Sequence, residues 1–175
     1  AVELRHYDIE ALSRQFGTSF EQTAHRLTTL GRTGMERVPF FFIRVDPAGN
    51  VSKRLDGAGF PFAAHGGGCP LWSVHSVFRN PGEVVTQWLE LPDGARFFSI
   101  ARTVSAGGGG HGRPSVMRAI ALACAAEHAP RLAYAEGIDP AQVTPTPIGV
   151  TCTLCHRAQC CLLYTSPSPR DRTRS

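Results

Sequence analysis

Apolar residues recur at helical spacing near the start of the chain. Leu12 and Phe16 stand four apart, and Phe20, Ala24 and Leu27 resume the pattern after Gly17. A stripe of this period predicts amphipathic helix and the glycine predicts a break, so residues 8–30 read as two helices joined by a turn. Thr18-Ser19-Phe20-Glu21 reads as a capping-box start for the second. Two helices around a glycine turn are compatible with a helix-turn-helix, but the modest basic content favours an ordinary helical hairpin. After residue 37 the pattern changes. Val38–Val45 is aromatic and β-branched, Asp46–Asn50 is turn-forming, and Val51–Leu55 runs back, which predicts a hairpin. Val84–Leu91 and Arg96–Val104 predict a second hairpin across Pro92-Asp93-Gly94, and the apolar run Val116–Cys124 predicts a further strand. Gly107–Gly110 reads as a flexible loop, because Arg113-Pro114 follows it rather than the helix start a phosphate cradle needs. The predicted class is α+β: a mostly antiparallel sheet of hairpins, a short N-terminal helical segment and a cysteine-rich C-terminal loop.

Composition supports a packed domain. The chain has 175 residues, of which 42% are hydrophobic, enough for one domain and part of a second. No basic leader and no membrane-length apolar run is present, so the expected setting is cytoplasmic with no membrane partner. The net charge of +4 gathers partly in Arg170, Arg172 and Arg174, which leaves no case for nucleic-acid binding by this portion itself. Residues 161–171, Cys-Leu-Leu-Tyr-Thr-Ser-Pro-Ser-Pro-Arg-Asp, match the in-frame translation of a transposase adapter used in DNA library preparation. We therefore read 161–175 as an artefact tail and leave Cys161 out of the ligand set.

The densest chemistry lies just before that tail. Cys152, Cys155 and Cys160 fall within nine residues, after Pro145, Pro147 and Gly149. A C-x2-C turn brings two thiols to one centre, and soft thiolates suit zinc or an iron–sulfur cluster. Closed sites take four ligands, so a fourth is missing. Cys69, in His65-Gly66-Gly67-Gly68-Cys69-Pro70, is the leading candidate, because its glycines let backbone approach a bulky group. His156 is adjacent to Cys155 and would strain the geometry; an exogenous ligand is the other alternative. Cys124 sits in an apolar run and reads as core. A second candidate set is basic. Arg44 and Lys53 face each other across the first hairpin, Arg54 adjoins them, and Trp72 offers aromatic surface, a combination suited to a coenzyme phosphate. A solvated strand face is the alternative for each cation. H-E-x-x-H, G-x-S-x-G and P-loop patterns are all missing, so the expectation is no enzyme activity.

Three segments together resemble a known family. They are Phe40–Arg54, Gly66-Gly67-Gly68-Cys69-Pro70-Leu71-Trp72, and Ile148-Gly149-Val150-Thr151-Cys152 through Cys160. They resemble the C-terminal domain of the short-chain fatty acyl-CoA regulators, bacterial transcription factors of the Xre-like class. Leu12–Leu30 looks like the end of the metallopeptidase-like domain that precedes it. The resemblance implies residues 1–36 as that fragment, 37–160 as a sensing domain, and 161–175 as the tail. It further implies a regulator of acetate, propionate and glyoxylate-cycle genes, with short-chain acyl-CoA as effector. In some members a 4Fe-4S cluster is present; zinc is the alternative cofactor. By position Cys152, Cys155 and Cys160 match the family's cysteine trio. DNA contact would come only through an N-terminal helix-turn-helix domain missing here, and the intact parent would be a homo-oligomer.

Overall fold

The computed structural model describes residues 2–30, 37–62, 68–157, 160 and 162. The two helices form where the period places them, α1 at Ile9–Phe16 and α2 at Phe20–Thr29. Asp8 caps α1 by accepting from the Ala11 N–H, and Gly17 ends it at φ 61°, a left-handed conformation that favours glycine. The capping box of α2 falls one residue later than expected. Ser19 Oγ accepts from the Gln22 N–H at 3.1 Å and Gln22 Oε1 accepts from the Ser19 N–H at 2.9 Å. Thr18 instead bonds Thr23. Ser19→Ala is therefore expected to cost about 1 kcal/mol in a denaturant titration, whereas Glu21→Ala leaves the cap intact.

Six strands follow: β1 (Phe41–Val45), β2 (Val51–Leu55), β3 (Val85–Glu90), β4 (Arg96–Gly110), β5 (Arg113–Ala125) and β6 (Thr146–Pro147). They make one sheet in the order β2-β1-β5-β4-β3-β6, antiparallel except for the β3–β6 pair. Both expected hairpins are present, and the Val116–Cys124 run is indeed a strand. Gly107–Gly110 is not a loop. Gly107 pairs with Ser115 and Gly110 with Arg113, with a ladder irregularity between them, so the glycines continue β4 to a tight turn at His111-Gly112. Glycine carries no strand preference of its own, and only the partner strand places it there.

Side chains alternate between two buried faces along the central strands. Phe42, Phe98, Ile100, Ile120 and Leu122 face one cluster, which the apolar faces of α1 and α2 complete through Ile9, Leu12, Phe20, Ala24 and Leu27. Phe41, Ile43, Ala119, Ala121 and Ala123 face the other, with Phe60, Trp72 and Val77. The run reads as continuously apolar because the sheet is covered on both sides. The alanines leave room for Trp72 and for Phe60, whose ring stacks on Phe41 at 4.5 Å. The helices are pinned by charge as well as packing. Arg44 Nη1 donates to Glu21 Oε1 at 2.7 Å, and Arg102, bonded to Glu10 at 3.1 Å, lies over the Phe20 ring. With their apolar faces in the core, α1 and α2 form a hairpin packed on the sheet, the arrangement favoured over a projecting recognition helix.

Candidate functional site

Cys69 opens the segment that covers the Trp72 face of the sheet. It is buried, and its carbonyl accepts from the Trp72 N–H at 3.0 Å in a turn leading to the single 3-10 turn Ser73–His75. From β3, Gln87 holds this segment in place. Its Oε1 accepts from the Ser73 N–H at 2.7 Å, and its Nε2 donates to the Leu71 carbonyl at 3.0 Å and to Thr146 Oγ1 at 3.2 Å. One amide thus joins the Cys69 segment to β6, the strand that leads into the remaining cysteines.

Beyond β6 the chain stays on the sheet edge, where the Ile148 N–H donates to the Glu90 carbonyl at 2.9 Å. A Cβ added at Gly149 would lie 2.6 Å from Cys155 Sγ and 3.0 Å from Cys155 Cβ, so a thiol occupies the space any other residue would need. Cys152–Leu154 make a 3-10 turn. Arg157 then reaches back to the edge, its Nε donating to the Ile148 carbonyl at 3.1 Å and its Nη2 to the Glu90 carbonyl at 2.6 Å.

These anchors bring Cys69, Cys152, Cys155 and Cys160 around one cavity of about 10 Å³, lined also by Leu71 and Pro147 and, from the artefact tail, by Leu162. Cys152 is exposed, yet partial desolvation pushes its thiol up, and neighbouring Cys69, Cys160 and Cys155 push it further in the same direction. A cation placed beside Cys152 would reverse that effect. Among the described residues no three His, Cys, Asp or Glu side chains are placed to hold a metal ion as they stand. The four cysteines that line the cavity are soft donors of the type zinc and iron–sulfur clusters take, and Gly149 stands where a larger residue would collide with Cys155. Sequence reasoning singled out all four cysteines. It missed Gln87 and Arg157, because their role is to bond backbone carbonyls and amides far away in sequence.

Among the described residues, the remaining thiol and the histidines do not line this cavity. Cys124 lies in β5, buried, its thiol pushed up to about 12 by burial and held back slightly by Arg131. His156 is exposed and does not line the cavity, and His65 and Cys161 lie outside the described residues. The basic set is divided by the sheet. Arg44 is bonded to Glu21 and to Ser52 Oγ, and Lys53 stands opposite it in the ladder. Arg54 is opposite Ile43 and so points to the other face. Trp72 is fully buried and donates its indole N–H to Ser99 Oγ at 2.9 Å. A separate groove of about 680 Å³ lies against α1 and α2, with Leu12, Phe16, Leu27 and Leu30 on its apolar side and Arg26 and Arg37 at its polar side.

Residues 29–169 match the family model described as short-chain fatty acyl coenzyme A regulator, C-terminal. The chain is 48% identical over 160 residues to the propionyl-CoA carboxylase regulator of Cereibacter sphaeroides, covering 91% of this chain and 34% of that protein. It is 46% identical over 157 residues to the HTH-type transcriptional regulator RamB of Mycobacterium tuberculosis (88% of this chain, 33% of that protein). Against the HTH-type transcriptional regulator PrpR of the same organism the identity is 43% over 163 residues, 91% of this chain and 33% of that protein. A solved Mycobacterium tuberculosis transcriptional regulator superposes with a TM-score of 0.85 at 42% identity, over 91% of this chain and 49% of that one. The chain thus spans about a third of the length of the curated relatives it matches.

Proposed function

The chain belongs to the short-chain fatty acyl coenzyme A regulator family, and from that premise we propose that it is the effector-sensing portion of a transcriptional regulator of short-chain fatty acid metabolism. The observation that carries the reading is the convergence of four thiols, from two distant segments, on one cavity at the sheet edge. In this reading Cys69, Cys152, Cys155 and Cys160 hold a 4Fe-4S cluster. When bound, the cluster would supply iron–thiolate bonds joining the C-terminal loop to the Cys69 segment. Short-chain acyl-CoA is the effector, and the groove at α1 and α2 has the size and mixed lining such a ligand needs. Effector binding shifts a regulator only if the ligand has unequal affinity for two states, so the groove must change when DNA is bound or released. DNA recognition is assigned to a helix-turn-helix segment outside this chain, and catalysis to none of its residues; the relatives above are named as regulators.

One observation favours a second reading of the cofactor. The thiol-lined cavity has room for a single water-sized occupant, which matches one zinc ion, whereas a cuboidal cluster requires the Cys152–Cys160 loop to move outward. Oxygen-free purification with iron, sulfide and zinc analysis separates the two. Equal iron and sulfide support the cluster, stoichiometric zinc supports the second reading, and neither metal overturns both. Propionyl-CoA at about 100 times its dissociation constant is expected to stabilise the chain by about 2.7 kcal/mol, a rise in Tm of roughly 5–10 °C at this size. An unchanged Tm would remove the effector from the proposal.

A further inference from the structure

The geometry points to Arg157 as the positioning residue that assembles the four-thiol site before any metal arrives; this rests on the reading of that site as an inorganic centre. Three of the four cysteines sit on a stretch with little regular structure to hold it. After β6, which is two residues long, the single 3-10 turn Cys152–Leu154 is the only regular element among the described residues up to Arg157. Within it the Leu154 N–H donates to the Thr151 carbonyl at 3.2 Å and the Cys155 N–H to the Cys152 carbonyl at 3.4 Å. A loop with so little regular structure opens readily unless something outside fastens it.

Arg157 is that fastening. Its guanidinium donates to two backbone carbonyls on the sheet edge, at 3.1 Å to Ile148 and 2.6 Å to Glu90. Glu90 ends β3, and its carbonyl already accepts from the Ile148 N–H. Arg157 therefore closes the loop on the point where β3 and the outgoing chain meet, and it satisfies a carbonyl on an otherwise open edge. Both bonds use a cationic donor, which makes them stronger than neutral pairs. The guanidinium also lines the cavity beside the thiols, so it offsets the negative charge that thiolates bring together. Lysine has one terminal nitrogen and cannot span the two carbonyls as a planar fork does. Gln87 performs the matching task for the Cys69 segment, so the two halves of the site are each tied to β3 by one side chain.

The test compares wild type with Arg157→Lys and Arg157→Ala, reduced and stripped of metal by chelator. Alkylation by iodoacetamide is followed at each cysteine by mass spectrometry. Faster labelling of Cys155 and Cys69 in both variants, with Cys124 in β5 still protected, is the expected result. Equal labelling of Cys155 and Cys69 in wild type and in Arg157→Lys would overturn the proposal. Zinc affinity, read by competition with a chromophoric chelator, is expected to fall by about 10- to 100-fold in both variants, the range for residues that orient metal ligands. An affinity unchanged in both would also overturn it. A wild type that takes up neither zinc nor a reconstituted cluster, but keeps the alkylation contrast, sinks the inorganic centre and leaves Arg157 as a loop fastening.

Discussion

Trp72→Ala is expected to lower the unfolding free energy by about 3–5 kcal/mol, and the thermal midpoint by on the order of 10 °C for a chain of this size. The indole is fully buried, faces the alanines of β5 and packs beside Phe41 and Phe60. Its removal opens a large cavity and also leaves Ser99 Oγ, itself buried, without the donor 2.9 Å away. Trp72→Phe separates these contributions. It keeps most of the ring volume, so its cost should approach the about 1–3 kcal/mol of one unpaired buried hydroxyl. Calorimetry on both variants checks the assignment. A loss below about 1 kcal/mol for Trp72→Ala would contradict the core role. Weakened propionyl-CoA binding by a fully stable Trp72→Phe would restore the ligand-stacking role expected from sequence.

Gly149→Ala is expected to abolish binding of the proposed inorganic centre while leaving the sheet intact. The backbone at Gly149 is not in the left-handed region, so the obstacle is contact and not torsion. The added methyl would stand 2.6 Å from Cys155 Sγ, which real atoms do not tolerate, and the sulfur must leave. Displacing one thiol from a four-sulfur set removes the closed site that zinc or a cluster requires. Metal analysis of the purified variant reads the loss directly. Thermal unfolding of the metal-free forms should agree to within a few degrees, since the close contact is with the Cys155 side chain and Ile148 beside it keeps its place in the sheet-face cluster. Wild-type metal content in this variant would show that Cys155 is not a ligand.

Much of the fold was legible because it is local. The helical period around Gly17, the turn at Asp46–Asn50 and the alternation in Arg96–Val104 all act within a few residues. The capping box slipped by one residue because Thr18, Ser19, Glu21 and Gln22 offer two overlapping matches, and only helix packing decides between them. Gly107–Gly110 looked like a loop because a glycine's place in a ladder depends on its partner strand. The basic set Arg44, Lys53, Arg54 and Trp72 looked like one site because the residues are close in sequence or similar in chemistry. The pleat sends Lys53 and Arg54 to opposite faces, and the core claims Trp72.

By itself the sequence determined the class of fold, the family and the cysteine trio Cys152, Cys155 and Cys160, since each is written in residue type and short-range spacing, and it offered Cys69 as one candidate for a fourth ligand. Tertiary structure alone decided that those cysteines and Cys69 line one cavity. That arrangement needs a two-residue strand laid parallel on β3, the double anchor of Gln87 and the grip of Arg157 on Glu90 and Ile148. Each of these joins positions separated by many residues, through backbone groups that every amino acid carries, so no pattern along the chain announces them.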